Sequence, residues 1–193
     1  MERADKIAII VGGVLTAAIG VLAYFYRRTL NYQAKKFMGA KYITVDMLCA
    51  STVAKQKGIT NTPDATSKAN LEALIANILD PLVEKVGFIP SINSGYRCAA
   101  LNSAVGGAST SQHMTGQAVD LGGTKEQVIS IFKAAVALGN YDQLILEKKN
   151  SYWVHISYNS SGTNRHVVYA TKTGGKPYTN ITSNPLTNYL NFV

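Results

Sequence analysis

The longest apolar run of the chain extends from Ile7 to Tyr26 and contains no charged residue. A helix of this length spans about 30 Å, the thickness of the hydrocarbon layer of a bilayer. The run lacks the polar stripe that a helix at the edge of a soluble core shows on one face. Bulky Tyr24 and Phe25 stand where a signal peptide would carry small residues before its cleavage site. The pattern therefore predicts an uncleaved transmembrane helix over residues 7–26, in preference to a core helix or a signal peptide.

Positive charges lie on both sides of this predicted helix. Arg3 and Lys6 belong to the N-terminal flank of residues 1–6, and a basic juxtamembrane linker of residues 27–40 follows the helix. By the positive-inside rule, the larger number of positive charges after the helix favours a C-terminal domain on the cytoplasmic side.

From residue 41 the apolar positions follow short helical and strand periods, which predicts a globular domain over residues 41–172. Helical spacing begins at Val45, with Thr44 available as an N-cap. A longer helix is predicted from about residue 67 to residue 86. Pro81 should kink or restart this helix, and Gly87 is a natural stop for it.

The second half of the domain alternates predicted strands with turns. Strands are predicted at residues 88–93, 117–121, 141–147, 152–158 and 165–171, the third and fourth forming a β-hairpin around the polar turn 148–151. Thr124 and Gln127 form a capping-box pattern, which opens a helix that ends at Gly139. A tail of residues 173–193, rich in Gly, Pro, Asn and Thr, is expected to cover the domain as irregular structure. Short strands and segregated helices predict an α+β fold.

Net charge and cysteine content indicate less about this protein than the pattern of apolar positions does. The net charge of +8 indicates anionic surroundings. The Lys and Arg residues are scattered, without a basic stripe that carries interleaved aromatic residues, so we expect no nucleic-acid partner. Acidic polymers or lipid headgroups explain the charge equally well. Cys49 and Cys98 lack metal-binding spacing, and both buried thiols and a disulfide between them remain open.

Two histidines and one aspartate form the candidate site. His113 and Asp120 are seven residues apart, with small Gly116 between them, and His155 lies in the predicted hairpin. Two imidazoles and one carboxylate are a zinc ligand set that leaves a fourth position open, as in catalytic rather than structural sites. The third histidine, His166, lacks such a context and is expected to lie at the surface or in packing.

Five ordered motifs between residues 43 and 170 resemble those of the M15 family of zinc peptidases. They are SGYR at 94–97, NSAVGG at 102–107, SQHMTGQAVD at 111–120, DQLI at 142–145 and WVHIS at 153–157. The resemblance is to the group of D-alanyl-D-alanine carboxypeptidases and L-alanyl-D-glutamate endopeptidases, and most of all to its phage and bacterial members. It implies the fold shared with Hedgehog signalling domains, a small antiparallel sheet backed by helices.

The resemblance also assigns roles to individual residues. It implies that His113, Asp120 and His155 bind Zn²⁺. It further implies that Arg97 receives a substrate carboxylate or the polarised carbonyl oxygen, for which a planar guanidinium is well suited. Ser111 is expected to support the site by hydrogen bonding near His113.

The general base departs from the family pattern. Many relatives carry an acidic residue three positions before the last histidine, where this chain has Tyr152. A phenol with an ordinary pKa near 10 is a poor base at neutral pH. Glu147 is our preferred base, followed by Asp142. Whether Glu147 faces the metal depends on the register of the hairpin, because a slip of one residue reverses the face.

Taken with the apolar run, the resemblance implies a membrane-anchored zinc peptidase that cleaves stem peptides of peptidoglycan, as a phage would use for host wall penetration or lysis. Such a catalytic domain would face the cell wall or lie on a virion, in conflict with the orientation that the flanking charges favour. Two alternatives stay open: a metal-containing wall-binding module without turnover, and a structural protein of a virion. Neither the bond that is cut nor the oligomeric state follows from the sequence.

Overall fold

A six-stranded sheet forms the centre of residues 42–193, the part of the chain that the computed structural model describes. Its strands are β1 (Ser91–Ser94), β2 (Ala118–Gly122), β3 (Gln143–Lys148), β4 (Tyr152–Ser157), β5 (Val167–Thr171) and β6 (Thr179–Asn180). They lie side by side in the order β1, β2, β4, β3, β5, β6. Helices accompany this sheet, which confirms the predicted α+β class.

The sheet is mixed, so the expectation of an antiparallel sheet was wrong for one pair of described strands. Only β3 and β5 pair in parallel; the other neighbours among the described strands are antiparallel. Gln143 at the start of β3 pairs with Ser157 on one side and with Val167 on the other. The connection of residues 158–166 therefore crosses this end of β3. As a result, β5 runs antiparallel to β4 and parallel to β3.

The helices begin and end at residues whose side chains or conformations suit those positions. They are α1 (Val45–Cys49), α2 (Thr52–Lys57), α3 (Ala65–Leu74), α4 (Asp80–Val86), α5 (Ala99–Ala104), α6 (Lys125–Leu138) and α7 (Pro185–Asn188). The predicted cap Thr44 accepts a hydrogen bond from the Met47 N–H at 3.3 Å. Both bonds of the predicted capping box between Thr124 and Gln127 are present. Gly139 ends α6 in the left-handed conformation, as predicted.

The long helix predicted for residues 67–86 is divided into three parts. A π-helical turn, Ile75–Leu79, separates α3 from α4, and Pro81 lies in the first turn of α4. Pro81 has no N–H to donate to the carbonyl of Asn77. The Asn140 side chain donates to that carbonyl instead, at 3.5 Å. The predicted restart at Pro81 and the stop at Gly87 are thus confirmed.

One face of the sheet packs against helices, and the other carries polar side chains. Strand residues alternate between the two faces. The helix-side positions are buried and apolar: Val119, Leu121, Leu144, Leu146, Val154, Ile156, Val168 and Ala170. Helix α6 covers β2, β3 and β4 with Val128, Ile131 and Phe132, all fully buried. Alternate residues of β2, β3 and β4 are therefore left to line the opposite face.

The ends of the chain bear on two further expectations. The predicted membrane helix at residues 7–26 lies outside the described residues, as do the flank and the linker on either side of it. Within residues 42–193, no helix is long and apolar enough to cross a bilayer. The tail, predicted to be irregular, contributes β6, α7 and a final 3-10 turn, Tyr189–Phe192. Its Ile181 and Tyr189 are buried in the core.

Candidate metal centre

Three elements bring the predicted metal ligands together. His113 lies in a 3-10 turn, Gln112–Thr115, that Gly116 ends in the left-handed conformation. Asp120 lies in β2 and is paired with His155 of β4 across the antiparallel ladder. Paired residues of adjacent antiparallel strands point to the same side of a sheet. The register of β2 and β4 therefore places two of the three ligands side by side, and the turn supplies the third.

The ligand atoms lie close enough to share one ion. His155 Nδ1 is 2.9 Å from Asp120 Oδ1, and His113 Nε2 is 3.4 Å from Asp120 Oδ2. His113 Nε2 and His155 Nδ1 face each other at 3.3 Å. One atom from each residue can be chosen so that all three lie within 4.8 Å of one another. The predicted constellation thus converges in space.

A backbone carbonyl fixes the orientation of His113. Its Nδ1 lies 2.7 Å from the carbonyl oxygen of Gly95, and the ring is only 2% exposed. Because a carbonyl can only accept, Nδ1 carries the proton and Nε2 keeps its lone pair for a cation. A Cβ on Gly95 would lie 2.2 Å from the carbonyl oxygen of Leu48. Only glycine therefore lets the chain pass here and present its carbonyl to His113.

The electrostatics of Asp120 favour its ionised form. Burial alone would raise the pKa of this carboxyl, but His113 and His155 outweigh burial and hold the pKa well below its usual range. Asp120 therefore remains a carboxylate at any pH at which the protein would function. An ionised carboxylate between two imidazoles is an anionic pocket suited to a divalent cation.

The arrangement fits zinc in both donor chemistry and spacing. Two imidazole nitrogens and a carboxylate oxygen are a donor set of catalytic zinc sites. Ligand atoms bound to zinc at about 2.0–2.1 Å in tetrahedral geometry lie about 3.3 Å apart. The 3.3 Å between His113 Nε2 and His155 Nδ1, and the 3.4 Å between His113 Nε2 and Asp120 Oδ2, match this spacing.

Glu147 lies on the same face of the sheet as the metal ligands. It pairs with Trp153 across the hairpin, two positions along from the pair of Ile145 and His155. Its side chain is buried, with 7% of the residue exposed. Burial and the charge of Asp120 raise the pKa of Glu147 to about 7, although His155 and Trp153 offset part of the rise. A carboxyl with this pKa can both take and return a proton near neutral pH.

Tyr152 and Asp142 are placed differently. Tyr152 pairs with Lys148 and faces away from the ligands; its ring is covered by the ammonium groups of Lys125 and Lys148. Asp142 lies just before β3 and accepts hydrogen bonds from Arg165, Gln112 and Ser157. The bonds from Arg165 hold the pKa of Asp142 well below its usual range. Asp142 thus fastens the connection between β4 and β5, which is a structural role.

Arg97 is held beside the centre by the segment that carries His113. The Arg97 N–H donates to the carbonyl of His113 at 3.1 Å, and its Nη2 donates to Ser111 Oγ at 3.3 Å. The Nε atom is buried and has no hydrogen-bond partner within residues 42–193. Burial lowers the pKa of the guanidinium, and Asp120 partly opposes this. A buried donor without a partner in the protein is available to a ligand.

One open cleft of about 700 Å³ is lined by His113, Asp120, His155, Glu147 and Arg97. It also contains residues to which the sequence analysis assigned no role, namely Trp153, Arg165, Gly174, Gly175 and Tyr178. Trp153 could have been found, because it lies two residues before His155 in a strand and so shares its face. The others follow β4, where no motif marked them.

The remaining histidine and the cysteines do not take part in the site. His166 is exposed, and its Nδ1 lies 2.9 Å from the carbonyl oxygen of Gly139. Cys49 and Cys98 are half-buried free thiols. None of these three residues lines the cleft.

Comparison with known proteins adds one finding to this geometry. Residues 41–157 match the family model described as Peptidase M15. The match includes all three metal ligands together with Arg97 and Glu147, and it ends at the last residue of β4. No curated protein matches the chain significantly.

Proposed function

Because this chain belongs to the M15 peptidases, we propose that it hydrolyses peptide bonds in the stem peptides of peptidoglycan. The observation that carries the proposal is the placement of Glu147, the proposed base, in the cleft that holds His113, Asp120 and His155. A buried carboxyl with a pKa near 7 beside a metal-ligand set is the pair of groups that metal-dependent hydrolysis of an amide uses.

His113, Asp120 and His155 would hold a zinc ion, which when bound supplies a Lewis acid that activates water and polarises the scissile carbonyl. Glu147 takes the proton of the attacking water as its carboxylate. It then returns that proton to the amine that leaves, so the carboxylate is regenerated at the end of each turnover.

Substrate binding is assigned to the cationic walls of the cleft. Arg97 and Arg165 both line it, and Arg165 keeps a half-exposed guanidinium although it is paired with Asp142. Guanidinium groups bind carboxylates through paired hydrogen bonds. Stem peptides of peptidoglycan carry free carboxylates, which fits a cleft with two such groups. The net charge of +8 also favours approach to an anionic wall.

We further propose that residues 7–26 anchor the chain in a membrane, on the basis of twenty consecutive residues without a charge. The anchored catalytic domain would face the cell wall or the outside of a virion. A role in wall penetration or lysis by a phage rests on the resemblance to phage peptidases. Extraction of membranes at alkaline pH tests the anchor, since a spanning chain stays in the pellet; detection of the chain in purified particles tests the virion role.

The test of the peptidase proposal is the release of amino termini from purified peptidoglycan by the full-length chain, with mass spectrometry of the products. We expect His155→Ala to abolish release and to lower bound zinc. His166→Ala is the matched control, because His166 is an exposed histidine outside the cleft. Full release by His155→Ala, or by protein stripped of metal with a chelator, would rule out the mechanism.

A further inference from the structure

The segment that follows β5 closes one side of the cleft; we call residues 173–178 the C-terminal strap. It lies beyond the residues that match the family model. The hydroxyls of Thr171 and Thr173 each donate a hydrogen bond of 2.9 Å to the carbonyl of Gly175. The bond from Thr171, the last residue of β5, ties the strap to that strand. The strap is therefore a fixed wall of the cleft rather than a free tail.

The strap packs directly against the only tryptophan of the chain. Gly174 has a φ of +65°, and a Cβ there would lie 2.9 Å from a ring carbon of Trp153 and 2.9 Å from Lys149 Cβ. A side chain at this position would collide with both. Glycine thus permits the strap to contact β4 at the residue that pairs with Glu147.

Tyr178 ends the strap, and it is held both by its ring and by the backbone that follows it. The ring centroids of Tyr178 and Tyr169 are 6.2 Å apart, a packing distance for aromatic rings. The next two residues, Thr179 and Asn180, form β6 and pair with β5. Because its ring and its following backbone are both anchored on β5, Tyr178 lines the cleft with a defined position.

Tyr178 lines the same cleft as Glu147 and Asp120, and their charges act on its phenol. Burial raises the pKa of this phenol, and the charges of Glu147 and Asp120 raise it further. The phenol therefore keeps its proton at neutral pH and can act only as a donor towards an anionic oxygen. Tyr178 also remains 36% exposed, so a ligand in the cleft can reach it.

We propose that Tyr178 is a catalytic residue, whose hydroxyl donates a hydrogen bond to the scissile carbonyl oxygen and to the oxyanion that this oxygen becomes during attack. The inference rests on the proposed peptidase function and deepens it. A donor fixed before the reaction starts stabilises developing negative charge without reorganisation, and loss of one such donor costs about 10²–10³-fold in turnover. Because Tyr178 is 36% exposed, we expect a loss at or below the lower end of this range.

The test compares Tyr178→Phe with Tyr169→Phe in the full-length, zinc-loaded chain. Both variants remove one hydroxyl from the same pair of packed rings, but Tyr169 does not line the cleft. We expect Tyr178→Phe to lower kcat/KM on stem peptides about 10- to 100-fold. Zinc content and Tm should equal those of the wild type, because the ring and its contact with Tyr169 remain. Tyr169→Phe should keep wild-type turnover.

Binding of a phosphinate analogue of a stem dipeptide gives a second readout. The tetrahedral phosphinate imitates the oxyanion, and its binding can be followed by the fluorescence of Trp153, the single tryptophan, which lies in the cleft. Tyr178→Phe should weaken this binding about tenfold, a loss of one hydrogen bond to a charged group. Tyr169→Phe should leave it unchanged.

The outcomes separate this inference from the proposed function. If the wild type releases no amino termini, the peptidase proposal fails, and phosphinate binding still decides whether Tyr178 contacts the ligand. Wild-type turnover and phosphinate affinity in Tyr178→Phe would overturn the inference. Equal losses in Tyr178→Phe and Tyr169→Phe would also overturn it, because they would indicate packing of the strap rather than a hydrogen bond to the substrate.

Discussion

Glu147 and Trp153 face each other across the β3–β4 hairpin, and their pairing turns the Glu147 carboxyl towards the metal ligands. A shift of one residue in this register would have turned Glu147 into the helix-packed core and brought Lys148 to the cleft. The register thus decides which side chain can serve as the base. It also shows that, with a tyrosine at position 152, the cleft still holds a carboxyl that can serve as the proposed base.

Replacement of Glu147 by Gln should abolish proton transfer without disturbing the ligands. We expect kcat to fall about 10²–10⁴-fold, the usual contribution of a general base, while bound zinc stays at the wild-type level. Turnover of stem peptides and metal content measured on the same preparation check this. Glu84→Gln, an exposed carboxyl of α4, is the control. Wild-type turnover by Glu147→Gln would require another base.

The raised pKa of Glu147 predicts how the stability of the metal-free protein depends on pH. Its pKa is about 7 in the folded state and near the ordinary value of 4.5 in the unfolded state. The folded state therefore binds more protons between these values, and the free energy of unfolding falls as the pH rises through this window.

Glu147→Gln cannot lose that proton, so the variant should unfold at a higher temperature than the wild type at pH 8. At pH 4 the two should differ little, because the carboxyl is protonated in both states of the wild type. Thermal unfolding of the chelator-treated proteins at the two pH values measures the difference. Equal Tm values at pH 8 would contradict the raised pKa.

Asp142→Asn should destabilise the fold and spare the chemistry. The Asp142 side chain is only 4% exposed, and it accepts hydrogen bonds from Arg165, Gln112 and Ser157. Weakening such charged hydrogen bonds costs about 1.5–3 kcal/mol in the free energy of unfolding. Denaturant unfolding measures this loss. Turnover per folded molecule should remain near that of the wild type; a fall comparable to that of Glu147→Gln would instead make Asp142 the base.

Gly95→Ala should weaken metal binding although Gly95 is not a ligand. The added Cβ would collide with the Leu48 carbonyl and displace the Gly95 carbonyl from His113 Nδ1. Loss of a hydrogen bond that orients a metal-bound imidazole costs about 10–100-fold in metal affinity. Competition with a zinc-binding dye measures the change. Gly139→Ala is a useful comparison, because no atom lies near its Cβ and strain is confined to the end of α6.

The parts of the site that were predictable are those in which residue type and short spacing carry the information. His113 and Asp120 lie in one continuous motif, and His155 lies in another, so the resemblance to the peptidases pointed to three residues that the fold does bring together. Glu147 could be proposed but not placed, because the register of a hairpin with a polar four-residue turn is a property of the folded sheet.

The role of Asp142, by contrast, could not be predicted from its motif. A carboxylate within a motif suggests chemistry, whereas its structural role depends on Arg165, which is 23 residues away and lies in a connection without regular structure. Tyr178 was not predictable for a similar reason. A tail rich in glycine and polar residues carries no period, and its path over the sheet is set by hydrogen bonds to Thr171 and by the contact with Trp153.

The direct pairing of Asp120 with His155 links metal uptake to the order of folding events. Neither ligand has its partner until β2 and β4, which are separated by helix α6 and strand β3, have joined in the sheet. A chain crossing a membrane in extended form would therefore travel without its ion and acquire it only at its destination. The metal supply of that compartment, rather than that of the compartment where the chain is made, would then determine which ion the enzyme carries.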